Sequence, residues 1–196
     1  MNSYTFDINL YDLTFFAAIF IGLTFVLLLW ITKTANGQAN RFLALGLLTM
    51  IVWMIRILAI DLRLERYLRY WDRVPLQFLL ALGPLLYFYV LKITRPQYKF
   101  VWKDLLHFSP LLLELAALAL EIRESIQTGV PTYSTRIFGQ INPALQLLIF
   151  ISNIVYLYRC DKLIQTFYRQ LQPVLMDRPL IEFRWLRRLL AASALL

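Results

Sequence analysis

Apolar stretches of membrane-crossing length recur along the chain, separated by short polar connections. A helix needs roughly 20 mostly apolar residues to cross the hydrocarbon core of a bilayer. Leu13–Ile31 contains no charged residue and predicts a first span. The segment before it carries Asp7 and Asp12 but no Lys or Arg. A cleaved signal peptide wants a positive start and a small-residue cleavage site, so this span is expected to be retained. Phe42–Ile60 predicts a second span, interrupted by Arg56. Val74–Leu91 predicts a third, with Pro75 at its start and Gly83-Pro84 inside it. Leu105–Leu120 is a shorter fourth that carries Glu114, and Phe138–Tyr158 is the fifth. A last apolar run begins near Trp185 and reaches Leu196 at less than half a crossing, so the chain is expected to end inside a sixth helix. The expected fold class is all-α: a polytopic transmembrane helix bundle of five complete spans plus the start of a sixth. All 196 residues belong to that one domain.

The connections are too short to be domains. In Asp61–Arg73 the residues Arg63, Arg66, Arg69 and Arg73 fall three or four apart, with Leu64, Leu68 and Trp71 on another face. That pattern predicts a short helix at the membrane surface, either a lid or simply an anchored connection. Glu121–Ile137, with Gly129, Pro131, Ser134 and Thr135, reads as an exposed turn. Arg159–Arg184 is expected to continue the fifth span out of the membrane and to break near Pro173 and Pro179.

Composition fixes the solvent. The chain is 60% hydrophobic and 16% charged, with a mean hydropathy of +0.60. Soluble domains are about 45–50% apolar and about 25% charged. A disordered chain would need low hydrophobicity and high charge. One cysteine, Cys160, leaves no disulfide framework and no multi-cysteine zinc site. The net charge of +8 suggests nucleic acid until its distribution is considered. Alternate connections carry thirteen Lys and Arg on one side of the membrane and six on the other. The richer side is expected to be cytoplasmic and to face anionic lipid, which puts the N-terminus outside. The expected location is a bacterial inner membrane.

Few residues suggest chemistry. Glu114 lies near the middle of the fourth span, where a carboxylate is costly and therefore informative. It could serve a proton relay, a cation site or a ligand amine; structurally, it could be a protonated carboxyl bonded to a neighbouring helix or pair with Arg56. Asn142, Gln146 and Asn153 fall within about 40° of one another on the fifth span. Such amides turn inward to other helices or line a ligand. Arg56, Glu114, Asn142, Gln146 and Asn153 are thus the candidate ligand-binding residues. Gly83 and Pro84 are the candidate hinge, because an interior proline bends a helix. His107 is the only histidine and cannot build a two-histidine metal site, so no metal or other cofactor is expected. No nucleophile elbow, phosphate loop, zinc motif or kinase signature is present, which argues against an enzyme.

Three segments resemble the membrane portion of AraC-type transcriptional regulators of Bacteroidota. They are Gly83-Pro84-Leu85-Leu86-Tyr87-Phe88-Tyr89, Trp102-Lys103-Asp104-Leu105-Leu106-His107-Phe108-Ser109-Pro110 and Trp185-Leu186-Arg187-Arg188-Leu189-Leu190. The resemblance covers the chain from about Leu10 onward. It implies a seven- or eight-helix sensory or anchoring membrane domain followed by a cytoplasmic helix-turn-helix output domain that this chain lacks. Contact with DNA would then come only through the missing domain. The expected partners are the lipid bilayer and a small-molecule or membrane signal, and the reading leaves room for a homodimer. The alternative expectation is a small-solute or ion transporter fragment using Glu114 and the polar face of the fifth span. A membrane-bound transferase is the remaining class.

Overall fold

The computed structural model describes residues 9–32, 37–63 and 78–171, which form helices and short connections with no strand among them. Helix α1 spans Leu10–Ile31, α2 Gly37–Asp61, α3 Leu82–Thr94, α4 Ser109–Thr128 and α5 Arg136–Leu171. Turns of 3-10 helix at Leu79–Ala81 and Trp102–Phe108 lead into α3 and α4, and another at Thr132–Ser134 precedes α5. Among the described residues, four helical stretches are long and apolar enough to cross a membrane: Leu10–Ile31, Gly37–Asp61, Trp102–Thr128 and Arg136–Gln170. The expected sixth helix from Trp185 to Leu196 lies outside the described residues, as does most of Asp61–Arg73.

α1 begins with a reciprocal cap. The Asn9 side chain accepts the Asp12 N–H at 2.9 Å, and the Asp12 carboxylate accepts the Asn9 N–H at 3.0 Å. Beyond the cap the helix is apolar on every face and packs on α2. Phe16, Phe20, Phe25 and Leu27 stay exposed. A helix hydrophobic all round belongs in lipid, since water does not tolerate so large an apolar surface.

α3 is the centre of the bundle. Its later half packs with α2 and α5 around Ala39, Tyr89, Val90, Cys160 and Ile164. The turn before it packs with α4 and α5 around Leu80, Ala117 and Leu145. Successive helices therefore run in alternating directions. The end of α3 shares one end of the bundle with the start of α2 and the later part of α5, so Arg41, Lys92, Lys99 and Arg159 gather there.

The structure bears on two expectations about element boundaries. Among the described residues the third helix runs from Leu79 to Thr94, a turn of 3-10 helix at Leu79–Ala81 passing into α-helix at Leu82. Residues 74–77 lie outside the described set, and α3 proper starts at Leu82. Pro84 is the third residue of α3, close behind the 3-10 turn at Leu79–Ala81 and near the start of the helix, where proline is best tolerated. Gly83 serves close packing: a Cβ there would meet the Tyr156 ring at 2.7 Å. The exposed turn expected from Glu121 is instead two more turns of α4, ending at Gly129 with φ 73° and its N–H on the Ser125 carbonyl at 2.9 Å. Glu121 and Ser125 are buried, so the loss of hydropathy there marks a polar inner face rather than a loop.

Candidate functional site

Glu114 is 1% exposed and reaches across to the start of the α3 unit. Its Oε1 accepts the Leu79 N–H at 3.1 Å and its Oε2 accepts the Leu80 N–H at 2.9 Å. A helix start leaves backbone donors without intrahelical acceptors, and its dipole favours a negative charge. Here the cap comes from another helix instead of from the residue before the turn. Phe78, which precedes the turn, makes no side-chain cap bond. Glu114 thus fastens α4 to α3 at the level where α3 begins.

Arg56 faces this carboxylate from α2. Its guanidinium lies within electrostatic reach of Glu121 first and Glu114 second. Glu121 is 4% exposed and follows Glu114 by seven residues, two turns along the same face of α4. The group is therefore one half-buried cation between two buried acids, joining α2, α4 and the start of α3. Buried charges are tolerated when they are paired and hydrogen-bonded. Sequence reasoning had assigned Glu121 to a loop; its spacing of seven from Glu114 was the available signal. Glu124, three residues further along α4, accepts the Ile137 N–H at 2.8 Å and so caps the start of α5.

The amide face of α5 is not part of this group. Gln146 is exposed, while Asn142 and Asn153 are half-buried. Asn153 borders a narrow crevice with Leu82, Gly83, Leu86 and Tyr156. The face of α5 that turns inward carries Leu145, Tyr156, Cys160 and Ile164. The structure thus brings Arg56 and Glu114 together and leaves the three amides apart from them.

A second knot joins α3, the approach to α4, and α5. The Tyr156 hydroxyl donates to the His107 carbonyl at 3.1 Å and lies 3.0 Å from His107 Nδ1. Tyr87 and Phe88 each bring a ring centre to 5.5 Å from the imidazole. His107 is a hydrogen-bonding, ring-packing residue at this junction. Nearby, Asp104 accepts the Val101 N–H at 2.7 Å and the Tyr98 hydroxyl at 2.7 and 2.8 Å. That bond pushes the Tyr98 hydroxyl up to about 12, because ionising it would break the bond and set two negative charges together.

The chemistry open to the charged group is electrostatic: it can hold helices in one arrangement and respond when the surrounding charge changes. Compared with protein-family models, curated proteins and solved structures, the chain matches none.

Proposed function

We propose that this chain is the membrane-embedded sensory or anchoring domain of a one-component transcriptional regulator, set in a bacterial inner membrane with its basic end in the cytoplasm. The observation that carries this reading is the length of α5. Its 36 residues extend about 54 Å at 1.5 Å per residue, against a hydrocarbon core of about 30 Å. The excess bears Arg159, Asp161, Lys162 and Arg169 and emerges at the basic end of the bundle. A helix that packs on α3 through Tyr156 and Cys160 and then leaves the bilayer is suited to carry a change of arrangement to an attached domain. The positive-inside rule makes that side cytoplasmic.

Two further features support it. The segments Gly83–Tyr89 and Trp102–Pro110, which carry the family resemblance, pack on each other through Tyr87, Phe88, His107 and Phe108. The Arg56–Glu121–Glu114 group supplies a place where a signal can bias one helix arrangement against another. The transport reading gains less. Both oxygens of Glu114 hold backbone N–H groups, and Gln146 is exposed, so these residues line no common path among those described.

The test joins a DNA-binding reporter domain after Leu171, where α5 ends, and follows transcription in cells. Arg56→Gln and Glu121→Gln are compared with the parent at matched membrane abundance. A several-fold change of output in either variant is expected. Identical output from all three, or a reporter domain found on the outer side, refutes the proposal.

A further inference from the structure

Lys92, near the end of α3, is 7% exposed. Its ammonium donates to Gln38 Oε1 at 2.6 Å and to the Tyr98 carbonyl, and stands 6.0 Å from the centre of the Tyr98 ring. All three partners are neutral, and no carboxylate among the described residues joins them. A charge taken out of water is costly until an opposite charge balances it. Beside Lys92 a cavity of about 680 Å³ opens, and Arg41 and Lys99 also line it. Trp30, Phe42 and Phe100 form its apolar wall. No acid lines it among the described residues. Asp104, close by in sequence, is already bound by the Tyr98 hydroxyl and the Val101 N–H.

We propose that this cavity binds a phosphate-bearing anion, with Lys92 as the buried counter-charge and Arg41 and Lys99 completing the cradle. Three cations converging without an acid provide what a phosphate requires. The aromatic wall beside them suits the glycerol and acyl portion of an anionic phospholipid, and basic pockets between membrane helices are known to take lipid headgroups. A soluble phosphate ester offers the same charged group, so the test separates the two sources. The site lies at the end of the bundle where α1 ends, α2 begins and α3 gives way to residues 96–100, away from the Arg56 group.

The experiment uses the full chain purified in a neutral detergent, with retained phosphatidylglycerol counted by native mass spectrometry. Phosphatidylcholine, which carries no net charge, is the comparison lipid. The parent is expected to retain phosphatidylglycerol at least about tenfold more tightly than phosphatidylcholine, given roughly 1 kcal/mol per basic residue near an anionic headgroup. Arg41 and Lys99 are exposed, so Arg41→Gln/Lys99→Gln removes charge without disturbing the core and should abolish the preference. Arg41→Lys/Lys99→Arg should keep it, as should Arg123→Gln/Arg136→Gln at the opposite end. If millimolar inorganic phosphate displaces the lipid, the site serves soluble phosphate as well; if it does not, the lipid is the ligand. Either result supports a phosphate site. Equal retention of the two lipids with no effect of phosphate overturns it, as does unchanged retention in Arg41→Gln/Lys99→Gln.

Discussion

Removing the Glu114 side chain uncovers two buried backbone donors at once, at Leu79 and Leu80, and takes one counter-charge from Arg56. Breaking a buried charge network at one partner costs about 3–5 kcal/mol. Glu114→Ala is therefore expected to lower stability by about that much in a denaturant titration in detergent. Glu114→Gln, which keeps one acceptor oxygen, should lose less than half as much. Equal losses in the two variants would mean that the cap does not matter. Asp12 poses the reverse case. Its Oδ1 is buried without a hydrogen-bond donor, and the carboxyl of Asp61 lies within electrostatic reach of it. Asp61→Asn supplies an N–H to that oxygen and removes a like charge, so the thermal midpoint should rise; a fall would show that the pair is already satisfied. The acid in the fourth span was legible as an unusual residue, but its partners were not. Backbone N–H groups occur at every position, and no pattern of side chains marks which two will lie opposite a given carboxylate. Glu121 was legible in principle, through its spacing of seven from Glu114, but a drop in hydropathy reads equally well as a loop.

At the level of helices, Gly83 and Pro84 change their meaning. Pro84 lies near the start of the helical run from Leu79, where proline disturbs least, so Pro84→Ala should alter stability by less than about 1 kcal/mol. A proline kinking an interior turn would respond more strongly and would straighten the helix. Gly83→Ala, in contrast, places a methyl 2.7 Å from the Tyr156 ring. Overpacking of that kind costs about 1–3 kcal/mol, and the combined variant Gly83→Ala/Tyr156→Leu should recover part of it. A denaturant series on the single and double variants checks both statements. Hydropathy located α1, α2, α4 and α5 because a crossing helix must be apolar over its whole length. It could not locate the start of α3, because a helix that begins inside a bundle stays apolar before and after its first turn. What makes that start possible is an acceptor from another element.

For the molecule as a whole, alternating directions place Lys99 and Arg123 at opposite ends of the bundle. Cys160, the only cysteine, is 0% exposed and gives a silent background for labelling. Lys99→Cys in cells is expected to resist a membrane-impermeant maleimide added outside, while Arg123→Cys reacts with it. The opposite pattern would invert the orientation, and reaction at both would mean that the two residues share a side. The alternation was readable from charge along the chain. Which helices touch was not, because one apolar face resembles another and the contacts are decided by shape. The cap on α3 also imposes an order on biosynthesis. The chain is made from its N-terminus, so Leu79 and Leu80 leave the ribosome 35 and 34 residues ahead of the carboxylate that receives them. At that moment α3 is an unfinished crossing with bare donors. Those two N–H groups have no Glu114 carboxylate to receive them until α4 follows, so the native start of α3 is completed only when α4 has been made.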